Sequence, residues 1–480
     1  MKDYEIIIGL EVHAELSTNT KAYCNCRAEF GADPNTNCCP ICTGMPGTLP
    51  VLNEKVVEYA VKMGLATNCE IARFSKQDRK NYFYPDTPKA YQISQYDLPL
   101  CENGYIDIDV EGTKKRIGIT RIHIEEDAGK LIHDAYTGDT LLDMNRCAVP
   151  LIEIVSEPDM RSAKEAVEYM QTLKSILEYL EICDCKMQEG SLRCDVNLSV
   201  RKVGDTKFGT RTETKNLNSF KAIQNHIEFE TKRQIEILEN GGTIVQETRR
   251  WDDAKGEGYA MRTKEDAHDY RYFPEPDLAP ICLSEDYIND IKENLPEMPN
   301  VKKERYVKEF KISEYDAMVL TLSKHTAEYF EKVANICKNP KIAANWIMGD
   351  FARMLNEAEI DITECKISEE NLAELITLID KGTISSKIAK TVFEEMFNTG
   401  EMAEEIVKKK GLVQISDESA VKEIVAKVVE NNPQSIIDYN AGRDRALGYL
   451  VGQVMKESKG KANPGLVNKL LLEILNNSNN

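Results

Sequence analysis

The chain has 480 residues, 42% of them hydrophobic and 29% charged, with a formal net charge of −19 at neutral pH; that length exceeds one ordinary core and points to two or three domains. The acidic balance excludes indiscriminate binding to nucleic acid, so any RNA contact must be local and salt-sensitive. No apolar run approaches the ~20 residues of a membrane helix, and the start Met1–Glu5 runs into a strand-like segment without a signal-peptide pattern, so a cytoplasmic protein with no membrane association is expected.

Residues 1 to about 290 are rich in short alternating segments broken by Pro, Gly and Asn, the texture of a strand-rich α+β domain. In Ile7-Ile8-Gly9-Leu10-Glu11-Val12-His13, Glu11 and His13 are two apart and share one face of a strand. Next come Cys24-Asn25-Cys26 and Cys39-Pro40-Ile41-Cys42. A CxC and a CxxC with twelve residues between them suit a tetrahedral zinc site with no open position, which makes the metal architectural. Gly31, Pro34 and Asn35 allow the intervening loop to turn back, and Cys38 is the spare thiol. The other cysteines, Cys183 and Cys185 included, read as buried or idle thiols rather than disulfides.

In Arg121-Ile122-His123-Ile124-Glu125-Glu126-Asp127 the isoleucines alternate with His123, Glu125 and Asp127. In Pro150–Val155 a lone Glu153 sits in an apolar strand and needs a cation, a proton or donors as partner. A helix is predicted from Ser162 to Leu180, with Ser162 and Glu165 in capping-box spacing. In Glu189–Asn197 and Thr210–Lys215 the polar residues Asp195, Asn197 and Ser199, and then Arg211, Glu213 and Lys215, alternate with apolar or threonine positions. By pattern alone these are better read as wet sheet faces with a salt-bridged Glu153; convergence on Mg²⁺, a hard ion preferring oxygen, is the alternative.

A second helix is predicted from Ser219 to Glu239, stopping before Gly241-Gly242. Glu293–Pro299 reads as a proline-punctuated linker. Helical runs follow at 326–337, 343–357 and 369–381, and texture changes again at Lys408–Gly411, where a small helical module begins. The polar end Asn476–Asn480 is expected to fray. There is no GxxxxGK[ST] loop, no GxGxxG after a strand, no HExxH, no GxSxG and no serine in a glycine-rich amidase loop.

Asp143-Met144-Asn145-Arg146 and Pro150–Asp159 resemble GatB, the family of B subunits of the tRNA-dependent amidotransferases. So do Ile8–His13, Arg79–Asp86, Tyr91–Gln95, Glu125–Lys130, Glu189–Asp195, Lys215–Phe220 and Tyr270–Asp277, with Gly452–Met455 and Gly460–Pro464 near the end. The resemblance runs the length of the chain, in order. It implies a cradle domain over 1–294, a helical domain over 295–407 and a tail domain over 408–480 that contacts tRNA. It implies ATP and Mg²⁺ in the cradle, activating the carboxylate of Glu on tRNA(Gln) or Asp on tRNA(Asn). Ammonia then comes from a partner amidase (glutaminase) subunit, and a small third subunit of the same complex braces the pair. Glu11, His13, Glu125 and Glu153 are then expected to be catalytic and to hold Mg²⁺; Asp127, Glu189, Arg193, Asp195 and Glu213 are expected to touch the nucleotide or the acyl end. Structural Zn²⁺ at Cys24, Cys26, Cys39 and Cys42 occurs in some members only. The archaeal relative GatE carries an inserted domain for which this chain has no room. The rival readings are a noncatalytic tRNA-binding scaffold and a zinc-ribbon RNA chaperone.

Overall fold

The computed structural model describes residues 3–134, 136–263, 269–412, 418–440, 443, 445–458, 462 and 464–477. Two compact units divide between Met298 and Pro299. The break falls a few residues beyond 294 because Leu295 and Met298 pack against the core of the first unit. Among the described residues no helix is long and apolar enough to cross a membrane.

The first unit is organised by a nine-stranded sheet. Its strands in chain order are β1 (Tyr4–Glu15), β2 (Glu70–Ile71), β3 (Cys101–Val110), β4 (Thr113–Glu126), β5 (Pro150–Ser156), β6 (Leu192–Lys202), β7 (Thr212–Leu217), β8 (Glu247–Asp252) and β9 (Glu257–Thr263). Their spatial order is β9-β8-β7-β6-β1-β5-β4-β3-β2. Pairing is antiparallel except between β7 and β8. The first strand of the chain therefore lies in the middle of the sheet, between β5 and β6.

Period-two alternation gives the sheet two unlike faces. Ile8, Leu10, Val12 and Ala14 of β1, Ile122 and Ile124 of β4, Ile152 and Ile154 of β5 and Val196 and Leu198 of β6 are all buried on one side. Helices α1 (Glu54–Ala66), α2 (Ala163–Tyr179) and α3 (Phe220–Glu239) supply the apolar stripes that complete that core. The intervening residues turn to the other face, which carries the ionisable groups.

The predicted helices at 162–180 and 219–239 form, each capped by its serine. The capping box is only half made: Ser162 Oγ accepts from Glu165 N at 3.2 Å, while the Glu165 carboxylate accepts from Arg161 N at 2.7 Å and pairs with Lys115. Sequence reading missed α1, whose Asn53 cap follows a loop that looked like continued strand texture.

The second unit is helical. Pro299 opens the helix Pro299–Arg305, where a first-turn proline costs no hydrogen bond. The predicted runs appear as Lys324–Cys337, as Pro340–Trp346 continued through a widened turn at Ile347–Phe351 to Ala358, and as Glu369–Asp380. One hydrophobic cluster reaches from Tyr306 to Val407; another gathers Val421, Val425, Leu450, Val454, Leu470 and Leu471. Gly411, with φ near +58°, ends the helix Ala403–Lys410 between them, a left-handed conformation in which glycine carries no Cβ penalty. The last helix, Pro464–Asn477, is longer than the predicted fraying at 476 allowed. Lys459 and Lys461, in the tail expected to contact tRNA, lie outside the described residues, as do 478–480.

Candidate active site

The register of four adjacent strands builds the site. Arg193 on β6, His13 on β1, Glu153 on β5 and His123 on β4 stand side by side across the open face. Burial sharpens their interactions: His123 and Glu125 are only 3% and 2% exposed. His13 Nε2 lies 3.2 Å from Glu153 Oε2, and His123 Nε2 lies 3.7 Å from the same oxygen and 3.6 Å from Glu125 Oε1.

A small three-stranded sheet (Asp78–Asn81, Tyr91–Ser94, Phe273–Pro274) adds the remaining groups. Lys80 Nζ, Gln92 Nε2 and Ser94 Oγ donate to the Glu125 carboxylate at 3.3, 3.3 and 2.8 Å. Burial alone would raise the Glu125 pKa, but Lys80, His123 and His13 outweigh it and hold the group well below the carboxylate range. Glu153 is likewise held down, against burial, mainly by His123 and His13. For His13 burial disfavours the charged ring, yet the Glu153 carboxylate more than offsets this and raises its pKa.

Ligand atoms of His13, Glu125 and Glu153 lie within 4.8 Å of one another. Neighbouring ligands of an octahedral Mg²⁺, with metal–oxygen distances near 2.1 Å, stand about 3.0 Å apart, so the 3.2 Å between His13 and Glu153 suits two adjacent positions. These residues fit a divalent cation.

Glu11, expected in the same set, belongs instead to a second group with Asp195 and Glu213. Two residues along a strand is a displacement of about 6.8 Å, and Glu11 pairs with Val155 and Asp195 where His13 pairs with Glu153 and Arg193. Lys215 Nζ bonds Asp195 and, at 2.9 Å, Glu213, while Asn197 Nδ2 donates to Glu11 at 2.9 Å. Burial first, then Glu153, Glu213 and Asp195, push the Glu11 pKa up. Beside it opens a cleft of about 410 Å³ lined by Gly9, Glu11, Asn197, Ser199, Thr210 and Arg211. Gly209 lets its wall close: a Cβ there would meet Val200 O at 2.2 Å. Arg211 has no ion-pair partner among the described residues.

Arg193 grips Asp127 with two hydrogen bonds of 3.3 and 2.8 Å, and Arg146 approaches the same carboxylate at 3.5 Å. Burial, then the neighbouring Asp127 charge, push the Glu15 pKa up to about 8. Glu189 is set apart, in the turn before β6, paired with Lys186 at 3.2 Å. Sequence reasoning missed Lys80, Gln92 and Ser94, which sit inside segments quoted for the resemblance but have no distinctive spacing. It also left His123 unassigned, although the alternation in 121–127 placed it on the correct face.

The four cysteines converge as their spacing predicts. Cys39 Sγ and Cys42 Sγ are 3.9 Å apart, near the ~3.8 Å edge of a tetrahedron with metal–sulfur distances of 2.3 Å. Fully buried Lys21 donates to Cys42 Sγ at 3.6 Å. The Cys24 thiol, then the Cys39 N–H and Lys21, favour the Cys42 thiolate over the cost of burial and bring its pKa down to about 4. The set fits a soft tetrahedral ion, and Cys38 stands outside it.

A helix-backed antiparallel sheet whose open face gathers carboxylates and imidazoles beside a cleft defines the class to which residues 6–289 also match in sequence, the GatB/GatE catalytic domain. Residues 328–475 match the GatB domain, and the chain belongs to the GatB family. It is 63% identical over 476 residues, 98% of this chain and 99% of the other, to a protein of Caldicellulosiruptor bescii named as the B subunit of aspartyl/glutamyl-tRNA(Asn/Gln) amidotransferase. Proteins of the same name from Caldanaerobacter subterraneus subsp. tengcongensis and Clostridium tetani are 62% and 57% identical, over 98% and 99% of this chain and 99% of each of theirs.

Proposed function

We propose that this chain activates, with ATP, the side-chain carboxylate of Glu on tRNA(Gln) or Asp on tRNA(Asn), and amidates it with ammonia from a partner amidase (glutaminase). Support comes from the family, from the relatives' name, and above all from the convergence of His13, Glu125 and Glu153 within 4.8 Å on the sheet face where Glu11 lines a cleft. A carboxylate oxygen of the substrate attacks the γ-phosphorus and ADP leaves; ammonia then attacks the acyl carbon, phosphate leaves and the nitrogen loses a proton. Both steps bring anions together, so they depend on positioning and electrostatics. Mg²⁺ held by His13, Glu125 and Glu153 supplies charge neutralisation between the anions and a fixed geometry.

The protein's own residues do the rest. Depressed pKa values keep Glu125 and Glu153 ionised at neutral pH, as ligands must be. Arg211, unpaired among the described residues on the cleft wall, is placed to meet phosphate, and Lys80 adds positive charge behind Glu125. Glu11 stands between cation group and cleft, and Asp127, Arg193, Asp195 and Glu213 frame the acyl end. Glu189 does not share this face and is not assigned a contact. The Cys₄ set takes a structural Zn²⁺. We assign the cradle to the first unit, up to Met298, and within the second unit the helical domain to 299–407 and the tRNA-contacting tail to 408–480. The amidase and a small third protein complete the assembly.

The test is ATP hydrolysis by the assembled enzyme with each misacylated tRNA. Stimulation by Glu-tRNA(Gln) or Asp-tRNA(Asn), and not by the uncharged tRNAs, is expected. Amidation with no ATP turnover attributable to this chain would favour the noncatalytic scaffold.

A further inference from the structure

His123 is more than nine-tenths buried, and its Nδ1 has no hydrogen-bond partner. Its other nitrogen is aimed between two carboxylates, 3.6 Å from Glu125 Oε1 and 3.7 Å from Glu153 Oε2. Those distances are too long for formed hydrogen bonds and short enough for strong electrostatic contact. Strand pairing fixes the ring there: His123 is the cross-strand neighbour of Glu153, whose other neighbour is His13. Glu153 Oε2 thus lies between two imidazoles, the nearer at 3.2 Å.

The two imidazoles are not equivalent. His13, 19% exposed, shares one mutually close set of ligand atoms with both carboxylates, whereas His123, 3% exposed, comes near each carboxylate but is not in that set. Because Nδ1 meets nothing, Nε2 is the nitrogen whose N–H the site can use, whereas a proton on Nδ1 is a buried donor with no acceptor. The N–H then points at both carboxylates from the side away from His13, and it restrains them while they repel each other.

We propose that His123 is a positioning residue that fixes Glu125 and Glu153 for a divalent cation without ligating it. This rests on the proposed cation site at His13, Glu125 and Glu153. Groups that orient metal ligands typically contribute 10–100-fold to metal affinity, so removing this one moves the metal dependence of the reaction more than its rate at saturating metal.

The test measures Mn²⁺ binding to the full-length chain by electron paramagnetic resonance, for the wild type and the His123→Ala, His123→Gln and His13→Ala variants. His123→Ala is expected to weaken Mn²⁺ about 10-fold or more, and His123→Gln, which retains an N–H donor, to recover part of that loss. In the assembled enzyme the Mg²⁺ concentration for half-maximal activity should rise while kcat at saturating Mg²⁺ stays within about 3-fold. A His123→Ala chain with normal circular dichroism and wild-type Mn²⁺ affinity overturns the proposal if His13→Ala still abolishes binding. If His13→Ala also binds normally, the cation site itself is wrong. A loss in His123→Ala with no recovery in His123→Gln, accompanied by a matching drop in melting temperature, assigns His123 to packing and overturns the proposal too.

Discussion

His13 Nε2 lies 3.2 Å from Glu153 Oε2, across the seam where the first strand of the chain joins β5. The contact joins residues 140 positions apart in sequence and exists only because β1 is central in the sheet. Replacing Glu153 by Gln keeps the shape and removes the charge. tRNA-dependent ATP hydrolysis is expected to fall at least ~100-fold, with tRNA affinity and circular dichroism unchanged. Activity within a few-fold of wild type would reduce the pair to a structural contact.

The cysteine loop is tied to a neighbouring hairpin, Lys130–His133 with Thr140–Asp143. Asn35 N donates to Asp143 Oδ1 at 3.1 Å, Asn35 Oδ1 accepts from Met144 N at 2.8 Å, and Asn145 Nδ2 donates to Asp33 O at 2.7 Å. Metal bound by four thiolates is folding free energy for such a loop. About one zinc per chain is expected by elemental analysis. Cys39→Ser should lose it and speed hydrogen exchange in both 31–45 and 140–146. Unchanged exchange in a metal-free chain would separate the two segments.

His226 is completely buried beside Trp251, and neither ring nitrogen has a hydrogen-bond partner. Burial, opposed by Glu230 and helped by Arg249 and Arg233, lowers its pKa to about 4. Above about pH 6.5 the ring is neutral folded and unfolded. As pH falls from there toward 4, the unfolded chain binds a proton that the folded chain does not, so stability drops. The full loss is on the order of 3 kcal/mol. Urea unfolding at pH 7.5 and pH 5 should therefore show a smaller acid penalty for His226→Phe than for the wild type. Equal penalties would mean that another group carries the acid sensitivity.

In the C-terminal module Lys456 lies in the last turn of the helix Arg445–Glu457 and Lys469 in the helix Pro464–Asn477. If this module meets the tRNA backbone, deleting 408–480 should weaken tRNA binding and flatten its dependence on salt, because phosphate contacts release counterions. Zinc content should not change. Equal affinity with and without the module would remove it from the RNA interface.

Much of this arrangement was legible in the sequence, for identifiable reasons. Strand alternation put Glu11 and His13 on one face of their strand and His123 and Glu125 on one face of theirs, since the side-chain period of a strand is fixed at two; that they join Glu153 in one set was implied only by the family resemblance. Cysteine spacing anticipated the metal-fitting cluster, because a tetrahedral site constrains short spacings strongly. Register was not legible: nothing local states that Glu153 lies opposite His13 while Glu11 lies opposite Asp195. Lys80 and Ser94 reach Glu125 through a separate small sheet, a contact that only tertiary structure creates. Proline misled at 299, where it begins a helix instead of continuing a linker.

The central claim, activation through an acyl phosphate, is tested most directly by oxygen transfer. Glu-tRNA(Gln) carrying ¹⁸O in both side-chain carboxylate oxygens is amidated by the assembled enzyme with ATP and ammonium, and the phosphate is analysed by mass spectrometry. Each amide formed should release one phosphate bearing a single ¹⁸O, with the second ¹⁸O kept in the amide carbonyl. Phosphate free of ¹⁸O, alongside normal amide formation, would contradict the account.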